Sequence, residues 1–151
     1  MSTELADLAR LVDAHPDIFD VGVPASPDAI TAAERFLGVE FPASFVEYLA
    51  CWGNLAVGPL EFYGIAGSDF EDGSIPDGVW FTHVKRQEIG LPKPLVIVLN
   101  NDGDEFYCVD TTHTGGRVVV WDVCSRAIVS VKGDNVCRLI LQEANDWLKD
   151  S

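Results

Sequence analysis

The stretch LVIVLNNDGDEFYCVDTTHTGGRVVVWD, Leu95 to Asp122, decides the fold. It holds three runs rich in β-branched and aromatic residues (LVIVL, EFYCV and VVVW) separated by two clusters of Asn, Asp, Thr and Gly. Such clusters supply the positive φ angles and local hydrogen bonds that turns require. A parallel crossover needs a dozen residues or more, so these short connections impose antiparallel pairing. The first run is apolar without alternation, the pattern of a strand covered on both faces.

The first turn is also the segment that looks most like an active site. Asn100, Asp102 and Asp104 alternate as calcium ligands would, with Glu105 beside them. A calcium loop of the EF-hand type places Gly sixth and Glu twelfth. Here Gly103 stands fourth and Thr111 twelfth, and no helices flank the loop. Asp102-Gly103 instead suits a tight hairpin, so a turn is expected and no metal.

Working outward, AIVSV (Ala127 to Val131) reads as a further short strand. Asp134 or Asn135 then caps a C-terminal helix with Val136, Ile140, Ala144, Trp147 and Leu148 along one side. Upstream, Val79 to Gly90 fits either a strand or a short helix, and Gly64 to Gly78 reads as a long acidic loop. PLEFYGI alternates Leu60 and Phe62 with Glu61 and Tyr63, the period of a half-buried strand. Pro42 opens a helix that buries Phe45, Val46, Leu49 and Trp52 and stops at Gly53. Ser26-Pro27-Asp28 starts another, with Ile30, Ala33, Phe36 and Leu37 inward and Gly38 as its close. Leu5, Leu8, Ala9 and Val12 give a first helix ending by His15-Pro16, followed by a loop through Gly22 and Pro24. The expected fold class is α+β. It is a single domain with N-terminal helices, a mostly antiparallel sheet of about five to six strands, and a C-terminal helix packed on the sheet.

A chain of 151 residues suits one domain with a substantial core. No apolar run reaches the roughly 18 residues of a membrane helix, and the first residues lack a signal-peptide pattern. A soluble cytoplasmic protein is expected. Cys51, Cys108, Cys124 and Cys137 have no C-x-x-C spacing and lie among apolar residues, which points to reduced core thiols and not to disulfides or zinc. The net charge is −14, and no Lys or Arg occurs between Arg35 and Lys85. That surface repels phosphate backbones and attracts a basic protein partner.

Catalytic signatures are lacking. His15, His83 and His113 form no metal-binding frame, and Ser68 in GIAGSDF is not the elbow of a hydrolase. No glycine-rich phosphate loop is present, and paired acids such as Glu71-Asp72 fall in exposed turns. Phe45, Trp52, Phe62, Trp80 and Trp121 read as core, and any of them exposed beside the acidic loop would be an interface anchor.

These residues resemble the SMI1/KNR4 family, also called the SUKH superfamily. The resemblance rests on Ile30, Glu34, Leu37-Gly38, Phe41-Pro42 and Gly53-Asn54, and on the strand, turn and strand series of Leu95 to Asp122. In WGNLAVGPL the family's usual Asn-Gly-Gly turn is interrupted by Leu55 and Ala56. On this resemblance residues 26–151 form the family domain, and residues 1–25 add a helix and loop to it. Many bacterial members are non-enzymatic immunity proteins that neutralise toxin domains, often nucleases, of polymorphic or contact-dependent systems. Fungal members are regulatory scaffolds. The expected role is therefore an immunity protein for a basic toxin nuclease, with a scaffold module for an endogenous partner as the alternative. An undetected carboxylate-pair hydrolase is a third, weaker reading. No cofactor, small-molecule substrate or direct nucleic-acid contact is expected. On charge alone, the partner-binding residues are Glu61, Asp69, Glu71, Asp72, Asp77, Asp102, Asp104 and Glu105.

Overall fold

A computed structural model describes residues 2–150. The hairpin at its centre forms as its turn chemistry demands. Strands β4 (Leu95–Asn101) and β5 (Glu105–Asp110) pair antiparallel, and Asp102 and Gly103 carry φ angles of 56° and 78°. Asn101 O accepts from Asp104 N at 3.2 Å, and the Asn100 side chain accepts from Gly103 N at 2.8 Å. β6 (Val118–Asp122) and β7 (Ala127–Gly133) complete a four-stranded antiparallel sheet in the order β4-β5-β6-β7.

Both faces of this sheet are covered. One face meets α1 (Thr3–Ala14), α2 (Pro27–Leu37), α3 (Ala43–Trp52) and α5 (Val136–Asp150) in a core that includes Val96, Val98, Val109, Val118 and Val120. The other packs Leu95, Ile97, Phe106, Cys108, Val119 and Trp121 against Tyr63, Leu91 and the Phe81 side of α4 (Gly78–Ile89). The first five residues of β4 are all buried, as its unbroken apolar run implies. The caps read from sequence do their work. Ser26 accepts from Ala29 N, Gly38 ends α2 in the left-handed region, and Asn135 accepts from Arg138 N. Among the described residues no helix is long and apolar enough to cross a membrane.

The α+β architecture stands, with its strands divided between two antiparallel sheets. The second sheet joins β1 (Phe19–Val21), β2 (Leu55–Val57) and β3 (Leu60–Phe62) in that order. β1 lies where a loop is expected, because three residues are too few to display a period. Val79 to Gly90 resolves as helix α4, started by the Asp77 cap and ended by Gly90 in the left-handed region. Its Val-Trp-Phe-Thr opening mimics a strand because tertiary packing overrides β propensity. Tyr63 is buried, not solvent-facing. Its N–H leaves the second sheet to bond Val98 O at 2.7 Å, and its ring stands edge-on to Phe81. Cys124 is exposed in the β6–β7 turn, whereas Cys108 and Cys137 are buried. Burial pushes the Cys137 thiol up to about 12, so it stays protonated and inert.

Candidate functional site

The acidic loop is built around a crossing of backbones that only glycine permits. Gly53 has φ 72°, and a Cβ there would collide with Val23 O. A Cβ on Gly64 would collide with Gly53 O, and one on Gly78 would lie 2.7 Å from Ile97 O. Hydrogen bonds stitch the same segments together: Gly22 N to Asn54 O, Ile65 N to Gly53 O and Gly78 N to Gly64 O, at 2.9, 2.9 and 2.7 Å. The Asn54 side chain adds a bond to Ile65 O at 3.3 Å. The end of α3, strand β1, the start of the acidic loop and the start of α4 thereby meet in one place.

Around this crossing the surface is grooved. A cavity of about 470 Å³ lies between the Gly22–Ser26 segment and the Ile65–Phe70 segment, with Ala29 and Ala32 of α2 on one side. A second groove, lined by Asp20, Val21, Glu61 and Ile75, shares Asn54 with it. A third, lined by Asp69, Asp72 and Ser74, shares Ala66 to Ser68 with the first and Ile75-Pro76 with the second. A fourth shares Glu61 and Ile75 with the second and runs to Asn100 and Asn101 at the base of the central hairpin. The shared residues make these one continuous face. Three large apolar side chains stand exposed on it: Val21, Val23 at 81% and Ile75. An apolar patch rimmed by polar groups is the usual anatomy of a protein-binding surface.

The sequence-predicted acids distribute unequally over this face. Glu61 sits between two grooves, and Asp69 and Asp72 line the third. Glu71 is exposed between them. Asp69 Oδ1 accepts from the N–H groups of Glu71 and Asp72 at 3.1 Å each, so this acidic turn is ordered by its own first residue. Asp102 and Asp104 are exposed at the hairpin tip beyond Asn101. Glu105 is half-buried and accepts from the Asn101 side chain at 3.2 Å.

Asp77 departs from that group. It is 3% exposed, and both carboxylate oxygens are used within the chain. Oδ1 accepts from Trp80 N at 2.9 Å as the α4 cap, and Oδ2 accepts from Ala66 N and Gly67 N at 3.0 and 3.1 Å. Its carboxylate holds the acidic loop against α4, and unlike the other predicted acids it is buried. Asp110, the other buried acid, is likewise structural. Burial works against its charge, but bonds from the Thr112 hydroxyl and N–H and from Arg117 hold its carboxyl below the usual range.

Sequence reasoning missed Asp20, Val21, Val23, Asn54 and Ile75. Asp20 and Val21 belong to the unrecognised strand β1, and the others gain meaning only from the backbone crossing. Trp80 is half-buried beside this loop, its side chain close against Gly73.

With this geometry established, comparison with known proteins is informative. The family model described as "SMI1-KNR4 cell-wall" matches residues 10–143. A crystal structure of a protein from Pseudomonas syringae pv. tomato is similar at a TM-score of 0.65 and 19% identity, over 87% of this chain and 90% of that one. At that identity the likeness concerns the fold. No curated protein matches the chain.

Proposed function

The chain belongs to the SMI1/KNR4 family, and on that premise we propose that it is an immunity protein that binds a basic toxin nuclease and occludes it without turnover. The observation that carries this reading is the continuous grooved face around Asn54. It combines exposed Val21, Val23 and Ile75 with Asp20, Glu61, Asp69, Glu71 and Asp72, drawn from two stretches without Lys or Arg, one between Arg10 and Arg35 and one between Arg35 and Lys85. A nuclease cleft is basic because it holds phosphates. An acidic surface speeds encounter with such a cleft, and its apolar centre supplies the desolvated contacts that slow dissociation. The hairpin acids Asp102, Asp104 and Glu105 extend the same field.

The test starts with capture of partners from the native organism's lysate at low and high salt. The captured protein's nuclease activity is then titrated with this chain. One basic nuclease, held more tightly at low salt and silenced at a one-to-one ratio, is the expected result. Changing Glu71 and Asp72 together to Lys should slow association about tenfold at low salt and flatten its salt dependence. Unchanged association kinetics would remove this face from the interface. Capture of endogenous proteins alone, equally at both salts, would favour the regulatory-scaffold reading.

A further inference from the structure

The 470 Å³ cavity between the Gly22–Ser26 and Ile65–Phe70 segments is walled mainly by small residues. Gly22 and Gly67 contribute no side chain, and Ala29 and Ala32 present a shallow helix surface. Phe70 adds an aromatic wall that is held in place, since it is buried and packs on Phe36 with ring centres 5.5 Å apart. The Asn54 wall is fixed by the bonds from Gly22 N to Asn54 O and from the Asn54 side chain to Ile65 O. The width of the cavity is therefore set by the fold, not by a mobile side chain. No charged residue lines it, but the groove that shares Ala66, Gly67 and Ser68 with it carries Asp69 and Asp72. None of the ion pairs among the described residues involves Asp69, Glu71 or Asp72.

Resting on the reading of a basic protein partner given above, we infer that this cavity seats one aromatic side chain of that partner. The anchor is carried on a segment in which a neighbouring Lys or Arg pairs with Asp69 and Asp72. A small aliphatic side chain would leave much of the volume empty, and a lining without contacts forfeits its dispersion energy. Trp and Tyr are the usual anchors of protein interfaces, and each needs a partner for its polar tip. The Ser68 hydroxyl on the cavity wall makes no bond within the chain among the described residues and can supply one. The adjoining acids select what stands next to the anchor. The two grooves share three lining residues, and an extended segment advances about 3.3 Å per residue, so a cation one or two positions from the anchor reaches the acids. A second copy of this chain is a poor occupant, because it would bring its own charge of −14 against the same rim.

Amide chemical shifts of the full chain, followed by NMR during titration with millimolar peptide, test this. The probes are acetyl-Lys-Trp-Lys-amide, acetyl-Glu-Trp-Glu-amide and acetyl-Lys-Ala-Lys-amide. The first should shift Ala29, Ala32 and Gly67 saturably, and the other two should bind about tenfold more weakly or worse. Ala32→Trp, at an exposed helix position, should fill the cavity with its own ring and weaken the first peptide at least tenfold. Asp72→Asn should weaken it about threefold. Circular dichroism and urea midpoints matching the parent would show that both variants fold. Absence of saturable shifts at these amides would overturn the proposal. So would equal binding of the Glu peptide, which would make the cavity blind to charge, or of the Ala peptide, which would leave charge alone. Concentration-dependent broadening of the same amides without peptide would assign the cavity to a second copy and overturn it too. The peptides need no nuclease, so the two readings fail separately. A nuclease silenced equally by the parent and by Ala32→Trp would remove the cavity and leave the immunity role standing, whereas peptide binding with no nuclease captured would do the reverse.

Discussion

Asp77 shows how one side chain can look like a surface acid and be a structural clamp. Its two oxygens accept from three N–H groups on two segments, so its loss removes a helix cap and unties the acidic loop. Asp77→Ala should lower unfolding stability by about 2–3 kcal/mol, about 1 from the cap and the remainder from the two freed loop amides. Asp72→Ala, on the exposed turn, should stay within about 0.5 kcal/mol of the parent. Urea denaturation distinguishes them, and equal midpoints would refute the assignment. The sequence did carry a signal for Asp77, since an Asp just ahead of the apolar run that begins at Val79 fits a helix start. That signal was masked because Val-Trp-Phe-Thr reads as strand or helix alike. Asp69 and Glu71, by contrast, were legible as exposed acids because they sit among Gly, Ser and other acids in a segment without apolar periodicity, and Glu61 because it alternates with Leu60 and Phe62 along a half-buried strand.

At the level of elements, the helices with strong local signals formed where expected: α2 between Ser26 and Gly38, and α5 after Asn135. The β4–β5 hairpin followed from Asp102-Gly103 for the same reason, a conformational demand met within four residues. What failed was the short and the mixed. β1 and β2 have three residues each, and they exist because β2 lies between β1 and β3. The element that organises the site is the glycine crossing, and it offers a direct test. Gly64→Ala would force a Cβ onto Gly53 O and the Leu49 side chain, with backbone unable to yield cheaply. A loss of about 3 kcal/mol is expected, roughly a 10 °C fall in melting temperature for a domain of this size. Gly67→Ala, three residues on, meets no atom within 4 Å and should be nearly neutral. Similar melting of the two variants in a thermal scan would show that the crossing is not tight.

For the whole molecule, charge acts in two opposed ways. A net −14 on 151 residues repels itself in the compact state, so added salt should raise the melting temperature. The same screening should weaken binding to a basic partner. Calorimetry and binding measured over one salt series should therefore trend in opposite directions, and a melting temperature that falls with moderate salt would contradict this account. By itself the sequence determined the fold class, the central antiparallel meander, most of the caps and the acidic character of the segment before Lys85. Each of these depends on neighbours within a few positions or on simple composition. Only the tertiary structure decided which acids face outward, that Asp77 does not, and that residues 20–23, 54, 61 and 65–76 form one grooved face. Those facts depend on backbones from distant parts of the chain approaching at Gly53, Gly64 and Gly78. No local pattern encodes that approach, because a glycine required by a distant carbonyl looks the same in sequence as one required by a turn.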